Sequence, residues 1–194
     1  ILFFLIKNIN LFTFIIFLSV FLLILSLIKE IFVFSKQKLS INFFRIFSHL
    51  GFGFFILSVA LNSNLSIEKN LNITVGNKFK VHNYDILFEN ITGKSKTNYN
   101  AIVGKFNVLE NGREISILNP EIRVYSNPRT VTIEASIKSS FFSDLYITMS
   151  SIPDTDFFNV KFQYKPFMMW IWLSVVMIAL GGILSLFKTF RRVK

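Results

Sequence analysis

Three uninterrupted apolar runs constrain this chain more than any other feature of its sequence. A bilayer's hydrocarbon core needs roughly 20 helical residues, and residues 9–28 (INLFTFIIFLSVFLLILSLI), 41–61 and 168–187 (MMWIWLSVVMIALGGILSLF) each reach that length. In lipid every backbone polar group must bond within its own element, so such runs are expected as transmembrane helices. With ILFFLI ahead of it, the first is taken as residues 1–28. Pro166 suits a first helical turn, and Trp170 and Trp172 then fall at the level of the lipid headgroups. The composition agrees, at 52% hydrophobic with 25 Phe, against about 45–50% apolar residues in a soluble domain.

Charge gives the orientation. Lys29, Lys36, Lys38 and Arg45 flank the link at residues 29–40, and Lys188, Arg191, Arg192 and Lys194 lie in the tail at residues 188–194, with Glu30 as the single acid among them. By the positive-inside rule these ends are cytoplasmic, or on the matrix side in an organelle. Residues 62–167 hold twelve Lys or Arg against ten Asp or Glu, so the formal net charge of +10 is mostly a topology signal. A nucleic-acid partner, which requires a basic face on a folded domain, is not expected. There is no Cys, which removes disulfide and thiolate chemistry. The chain opens at Ile1, already apolar and without a signal-peptide pattern, and is read as a fragment or one piece of a split protein.

Residues 62–167 are polar and alternating. KFKV, YDILFE, GKFNVLE, REISIL, TVTIEASI, DLYITM and FNVKFQY recur at short spacing, and Asn111-Gly112 between two of them is a strong hairpin signal. Gly76-Asn77, Asn83, Gly93 and Asn127-Pro128 mark further turns. The fold class expected is a membrane protein of three transmembrane α-helices, with an exported antiparallel β domain, a sandwich or barrel of eight or nine strands, between helices two and three.

Recognisable chemistry is sparse. No phosphate-binding loop, dinucleotide fingerprint, nucleophile elbow or zinc motif occurs. His82 in KVHNYD reads as a solvated turn residue, and Asp144, Asp154 and Asp156 as surface groups. Asn64, Asn72 and Asn90 are formal glycosylation acceptors. His49, in RIFSHLGFGFFILSVAL, differs because an imidazole at membrane depth must find a partner. Gly53 lies one turn away and leaves room for a flat ring, and axial histidine is a common haem ligand within helix bundles. Equally, His49 would hydrogen-bond a neighbouring helix while Gly51, Gly53, Gly181 and Gly182 permit close packing.

SHLG in a membrane helix, then NYNAIVGKFNV, NGREISILNPEIRVY, TIEASIKSSFFSDLYITM and YKPFMMWIWLSVVMIALGG resemble, in order, the C-terminal part of the CcmF family, the haem lyase subunit of cytochrome c maturation. The most specific pieces are Pro120-Glu121 with Arg123, Phe142 through Tyr146, and Tyr164-Lys165-Pro166-Phe167 leading into Trp170-Ile171-Trp172. ResB-type cytochrome biogenesis proteins carry a similar histidine-bearing helix.

The resemblance implies that the chain helps attach haem to the Cys-X-X-Cys-His thiols of apocytochrome c on the outer face of a bacterial or mitochondrial inner membrane. It also implies a membrane haem b, with His49 as an axial metal ligand beside Gly53. The implied partners are the remaining part of the haem lyase subunit, a haem chaperone, apocytochrome c and other maturation subunits. The family's Trp-rich external segment and its other haem-ligating histidines have no counterpart here, and Met168-Met169 replace a common arginine. A noncatalytic membrane-anchored binding or scaffold protein is the alternative of a different class.

Overall fold

The computed structural model describes residues 11–36 and 43–193. The expectations placed on residues 1–10, 37–42 and 194, including the start of the first helix, Lys38 and Lys194, lie outside the described residues.

Among the described residues, three helices belong to one compact unit, which also takes in Phe141–Ser143 and the chain from Pro166 onward. They are α1 (Leu11–Lys36), α2 (Phe43–Leu65) and α3 (Met168–Val193). Each contains a span long and apolar enough to cross a membrane, Thr13–Val33, Phe43–Leu65 and Met168–Phe187 respectively. Two boundaries differ from the sequence reading. α1 continues through residues 29–36, taken as a link, and α3 continues through 188–193, taken as a tail. No proline or glycine interrupts either stretch, so lysine and arginine, good helix formers, carry the helix past its apolar part.

The second unit is a β-sandwich of ten strands, lying between α2 and α3 in chain order. Its strands are β1 (Ile67–Ile73), β2 (Lys78–Val81), β3 (Tyr84–Ser95), β4 (Tyr99–Glu110), β5 (Arg113–Leu118), β6 (Glu121–Ser126), β7 (Arg129–Glu134), β8 (Ser136–Ser139), β9 (Ser143–Ser151) and β10 (Phe158–Pro166). One sheet runs β1-β10-β9-β8; the other runs β2-β3-β4-β6-β7, with β5 also pairing β4. Period-two alternation creates the inner faces: Tyr84, Ile86 and Phe88 of β3 meet Phe106 and Val108 of β4, and Ile147, Met149, Val160 and Phe162 close from the other sheet. Phe88 and Phe106 stack at 4.4 Å at the centre.

Asn111 and Gly112 turn β4 into β5 with φ of 49° and 78°, the left-handed pair that a tight hairpin requires. Gly93, expected at a turn, instead lies within β3 opposite Ile102, and the reversal falls at residues 96–98. Pro166 closes β10 and does not open a helical turn. A β-bulge between Phe88 and Asn90 splits the long β3–β4 hairpin. Beyond it, Ile91, Ile102, Val131 and Ile133 share one face of a wing formed with β6 and β7, and all four are exposed. The outer edge of β7 is unpaired among the described strands.

Candidate functional site

Among the described residues, α1 and α3 cover two faces of α2 and leave a third exposed. Towards α3 the contact is a close backbone approach. Ser48 Oγ donates to the Ile178 carbonyl at 3.0 Å. A Cβ at Gly51 would lie 2.9 Å from Met177 Cβ, and one at Gly181 would lie 2.7 Å from the Phe44 carbonyl oxygen and 2.8 Å from the Ser48 nitrogen. Small residues here let two helices meet at backbone distance, where apolar surface alone supplies no drive in lipid. Gly182, grouped with them on sequence grounds, faces open space and takes no part.

Towards α1 the contact runs through Gly53, whose Cβ would sit 3.3 Å from Leu23 Cδ2. The clearance that the sequence reading assigned to a ring at Gly53 is thus occupied by a leucine of the neighbouring helix. The physical reason is that residues four apart on a helix are offset by about 40° around the axis, enough for Gly53 to turn under α1 while His49 does not.

The third face carries Arg45, His49, Phe52 and Val59, spaced i, i+4, i+7 and i+14, and every one of them is exposed. His49 has no hydrogen-bond partner among the described residues. Arg45, one turn earlier, is tied to Glu30 of α1 by an ion pair. His49 therefore lies about 6 Å along the axis from that charged end, on a stripe that neither α1 nor α3 covers. On another side of α2 an apolar cleft of about 420 Å³ is lined by Phe43, Phe44, Ile46, Phe47, Leu50 and Leu184. No group of three His, Asp or Glu side chains converges among the described residues.

The opposite end of the helical unit is held by polar ties that the sequence reading missed. Asn62 Nδ2 donates to the Pro166 carbonyl at 2.6 Å, and Asn64 Nδ2 donates to the Ala60 carbonyl at 2.7 Å and to Thr13 Oγ1 at 3.2 Å. Asn64, a formal glycosylation acceptor by sequence, has its amide nitrogen engaged in the last turn of α2. The asparagine pair interrupting an otherwise apolar run was the available signal. Nearby, the Phe167 nitrogen donates to the Phe142 carbonyl at 2.8 Å, and Trp170 Nε1 donates to the Phe141 carbonyl at 3.0 Å. Phe167 has φ of 60°, unusual for a bulky residue, where the chain switches from strand to helix.

In the sandwich an electrostatic cluster surrounds Glu121. Lys94 Nζ and Arg123 Nε each lie 2.7 Å from its carboxylate, and the Arg123 guanidinium lies 4.9 Å from the centre of the Tyr99 ring. The Lys94 hydrogen bond, followed by that from Arg123, holds the Glu121 carboxyl below the usual carboxylate range. Burial pushes the Tyr84 phenol up to about 12, with Glu110 adding to the effect. Burial also raises Tyr146, whose hydroxyl donates to Asp144 Oδ2 at 3.2 Å. These groups are locked into pairs across or along strands, an arrangement that fixes register. His82 stands exposed in the β2–β3 turn with φ of 53°, as the sequence indicated.

A family profile described as "CcmF C-terminal beta-sandwich" matches residues 64–166. The chain belongs to the CcmF family. Among its CcmF relatives, the Pseudomonas aeruginosa protein is 30% identical over 147 residues, which are 76% of this chain and 22% of the relative. That of Escherichia coli is 30% identical over 140 residues, 72% of this chain and again 22% of the relative. Both are named cytochrome c-type biogenesis protein CcmF. The solved structure of the "Cytochrome c Heme Lyase CcmF" superposes with a TM-score of 0.77 at 12% identity, over 94% of this chain and 31% of that one, which shows a shared fold. The chain thus spans about a fifth of the length of its curated CcmF relatives. Of the segments that pointed to CcmF, one builds the Glu121–Arg123 cluster and two others, holding Phe142 and Phe167, meet where the last strand enters α3.

Proposed function

We propose that this chain is the C-terminal portion of a cytochrome c haem lyase subunit, and that His49 provides one axial ligand to a haem b held between α2 and a part of the subunit outside this chain. One observation carries the ligand assignment: an imidazole without a hydrogen-bond partner among the described residues, on an apolar stripe that α1 and α3 leave open. The haem fits one-sidedly, since His49 is the single histidine of the described helices. In lipid that imidazole is costly unless another group meets it.

The tasks of the residues follow. His49 would offer one ring nitrogen to the iron, and its other ring nitrogen would donate to a carbonyl or hydroxyl outside the described residues. The Ser48–Ile178 bond and the Gly51 and Gly181 contacts fix the rotation of α2, and so the direction in which His49 faces. Gly53 brings α1 against the flank of the same helix, beside the His49 stripe. When bound, the haem supplies a one-electron carrier that keeps the iron of the substrate haem reduced.

The three helices span the inner membrane, with the basic ends on the cytoplasmic or matrix side and the sandwich on the outer side. The sandwich docks a partner: the unpaired edge of β7, beside exposed Val131 and Ile133, suits an unfolded apocytochrome segment added as an extra strand. A haem chaperone and further maturation subunits complete the assembly.

The test is His49→Ala in the complete subunit. Membrane insertion is expected to persist while the membrane haem is lost or its low-spin spectrum altered, with cytochrome c maturation reduced. His49→Gly with added imidazole is expected to restore part of the haem signal. Full haem content with an unchanged six-coordinate spectrum in the alanine variant would overturn the ligand assignment.

A further inference from the structure

The short connection between β8 and β9 reads Ser140-Phe141-Phe142, and nothing in a β-sandwich explains two adjacent phenylalanines that stay exposed, at 52% and 61%. They are also firmly held. The Phe141 ring lies 5.1 Å from the Trp170 ring and 5.0 Å from that of Phe142, both edge-on, while Phe142 stacks over Trp170 at 6.5 Å. Both backbone carbonyls of the pair are satisfied, Phe141 by the Trp170 indole and Phe142 by the Phe167 nitrogen. Phe141–Ser143 belong to the helical unit, whereas Ser140 and Asp144 on either side belong to the sandwich.

We propose that Phe141 and Phe142 form a lipid-contacting loop that sits in the interfacial layer of the bilayer beside the first turn of α3. The inference rests on the reading that Met168–Phe187 spans a membrane. Continuity with that span identifies the occupant: Trp170 is its third residue, Trp172 beside it is 67% exposed, and Phe54 of α2 lies 6.1 Å from the Trp170 ring. Indole and phenyl rings with a polar tether favour the headgroup level. The bonding matters as much as the rings, because a loop with unsatisfied carbonyls would resist leaving water. The Phe pair thereby extends the aromatic belt of α3 by a second point of attachment, contributed by a strand connection.

The native chain contains no cysteine, so single sites can be labelled cleanly. Phe141→Cys and Phe142→Cys, each carrying an environment-sensitive fluorophore, would be reconstituted as the full chain in phosphatidylcholine vesicles with bromines placed at set acyl-chain depths. Ser95→Cys serves as the aqueous reference and Leu180→Cys as the mid-span reference. The backbone bonds of the loop survive these substitutions because they use carbonyls. The expected result is blue-shifted emission at 141 and 142 and several-fold stronger quenching by shallow bromines than at Ser95, with deep bromines acting best at Leu180. If Leu180 is quenched while 141 and 142 behave like Ser95, or are shielded from both bromine and aqueous iodide by a protein partner, the lipid-contact inference fails and the span stands. If Leu180 itself is not quenched, the spanning reading fails first.

Discussion

Two adjacent glycines in α3 should respond in opposite ways to the same added methyl group. At Gly182 nothing lies within 4 Å of a built Cβ, so Gly182→Ala meets no obstacle. It gains helix propensity of up to about 1 kcal/mol. At Gly181 the same carbon would stand 2.7 Å from the Phe44 carbonyl oxygen and 2.8 Å from the Ser48 nitrogen. Both are backbone atoms and cannot turn aside. Ordinary contact begins near 3.4 Å, so α2 and α3 must part by at least about 0.7 Å, enough to weaken dispersion along the whole seam. Overpacking of this kind costs about 1–3 kcal/mol, and stretching the Ser48–Ile178 bond adds roughly 0.6 kcal/mol. The propensity gain is common to both sites and cancels in the comparison. Gly181→Ala should therefore be less stable than Gly182→Ala by about 2 kcal/mol, roughly thirtyfold in the folding equilibrium. Reversible unfolding in mixed detergent micelles, followed by helical circular dichroism, measures that difference directly. Equal stability of the two variants would refute the close approach of α2 and α3.

Other consequences are open to measurement. Phe106, fully buried and stacked on Phe88, should cost about 3–5 kcal/mol when replaced by Ala, read as a lower denaturation midpoint at unchanged slope. Because the Glu121 carboxyl is held below its ordinary range, its contribution is full above that range and lost as pH falls through the lowered value. Acid titration of stability should accordingly be shallower in Glu121→Gln, and an identical titration curve would remove Glu121 from the account. Cysteines at Ser95 and Ser35 should react with an impermeant thiol reagent from opposite sides of an intact membrane, and the reverse sidedness would overturn the orientation.

Several elements could be read directly from residue order because their causes are local. The three apolar runs, the Asn111-Gly112 hairpin, the alternating core strands and the departure of His49 from its surroundings each depend on neighbours within a few positions. The run TVTIEASI divides between β7 and β8, and two further strands are not apparent in residue order for the same reason. IEKNLNI (β1) and EIRVYS (β6) are too polar or too irregular to stand out, and are strands because β10 and β4 offer them partners far along the chain. Gly93 was misplaced because pairing with Ile102 overrides a glycine's preference for turns.

The ends of α1 and α3 show how a hydropathy boundary differs from a helix boundary, since hydropathy reports lipid and backbone bonding continues into charged residues. At the site, the sequence by itself singled out His49 through the chemistry of one residue in an apolar run. It also placed Gly53 within one turn, through helix geometry alone. Tertiary structure decided which helix lies beside each: Leu23 fills the space at Gly53, Ser48 and Gly181 bind α2 to α3, and the described residues leave the His49 stripe open. The physical reason is that a helix sequence sets which residues share a face, while the occupant of that face is set by contacts between segments as many as 130 positions apart.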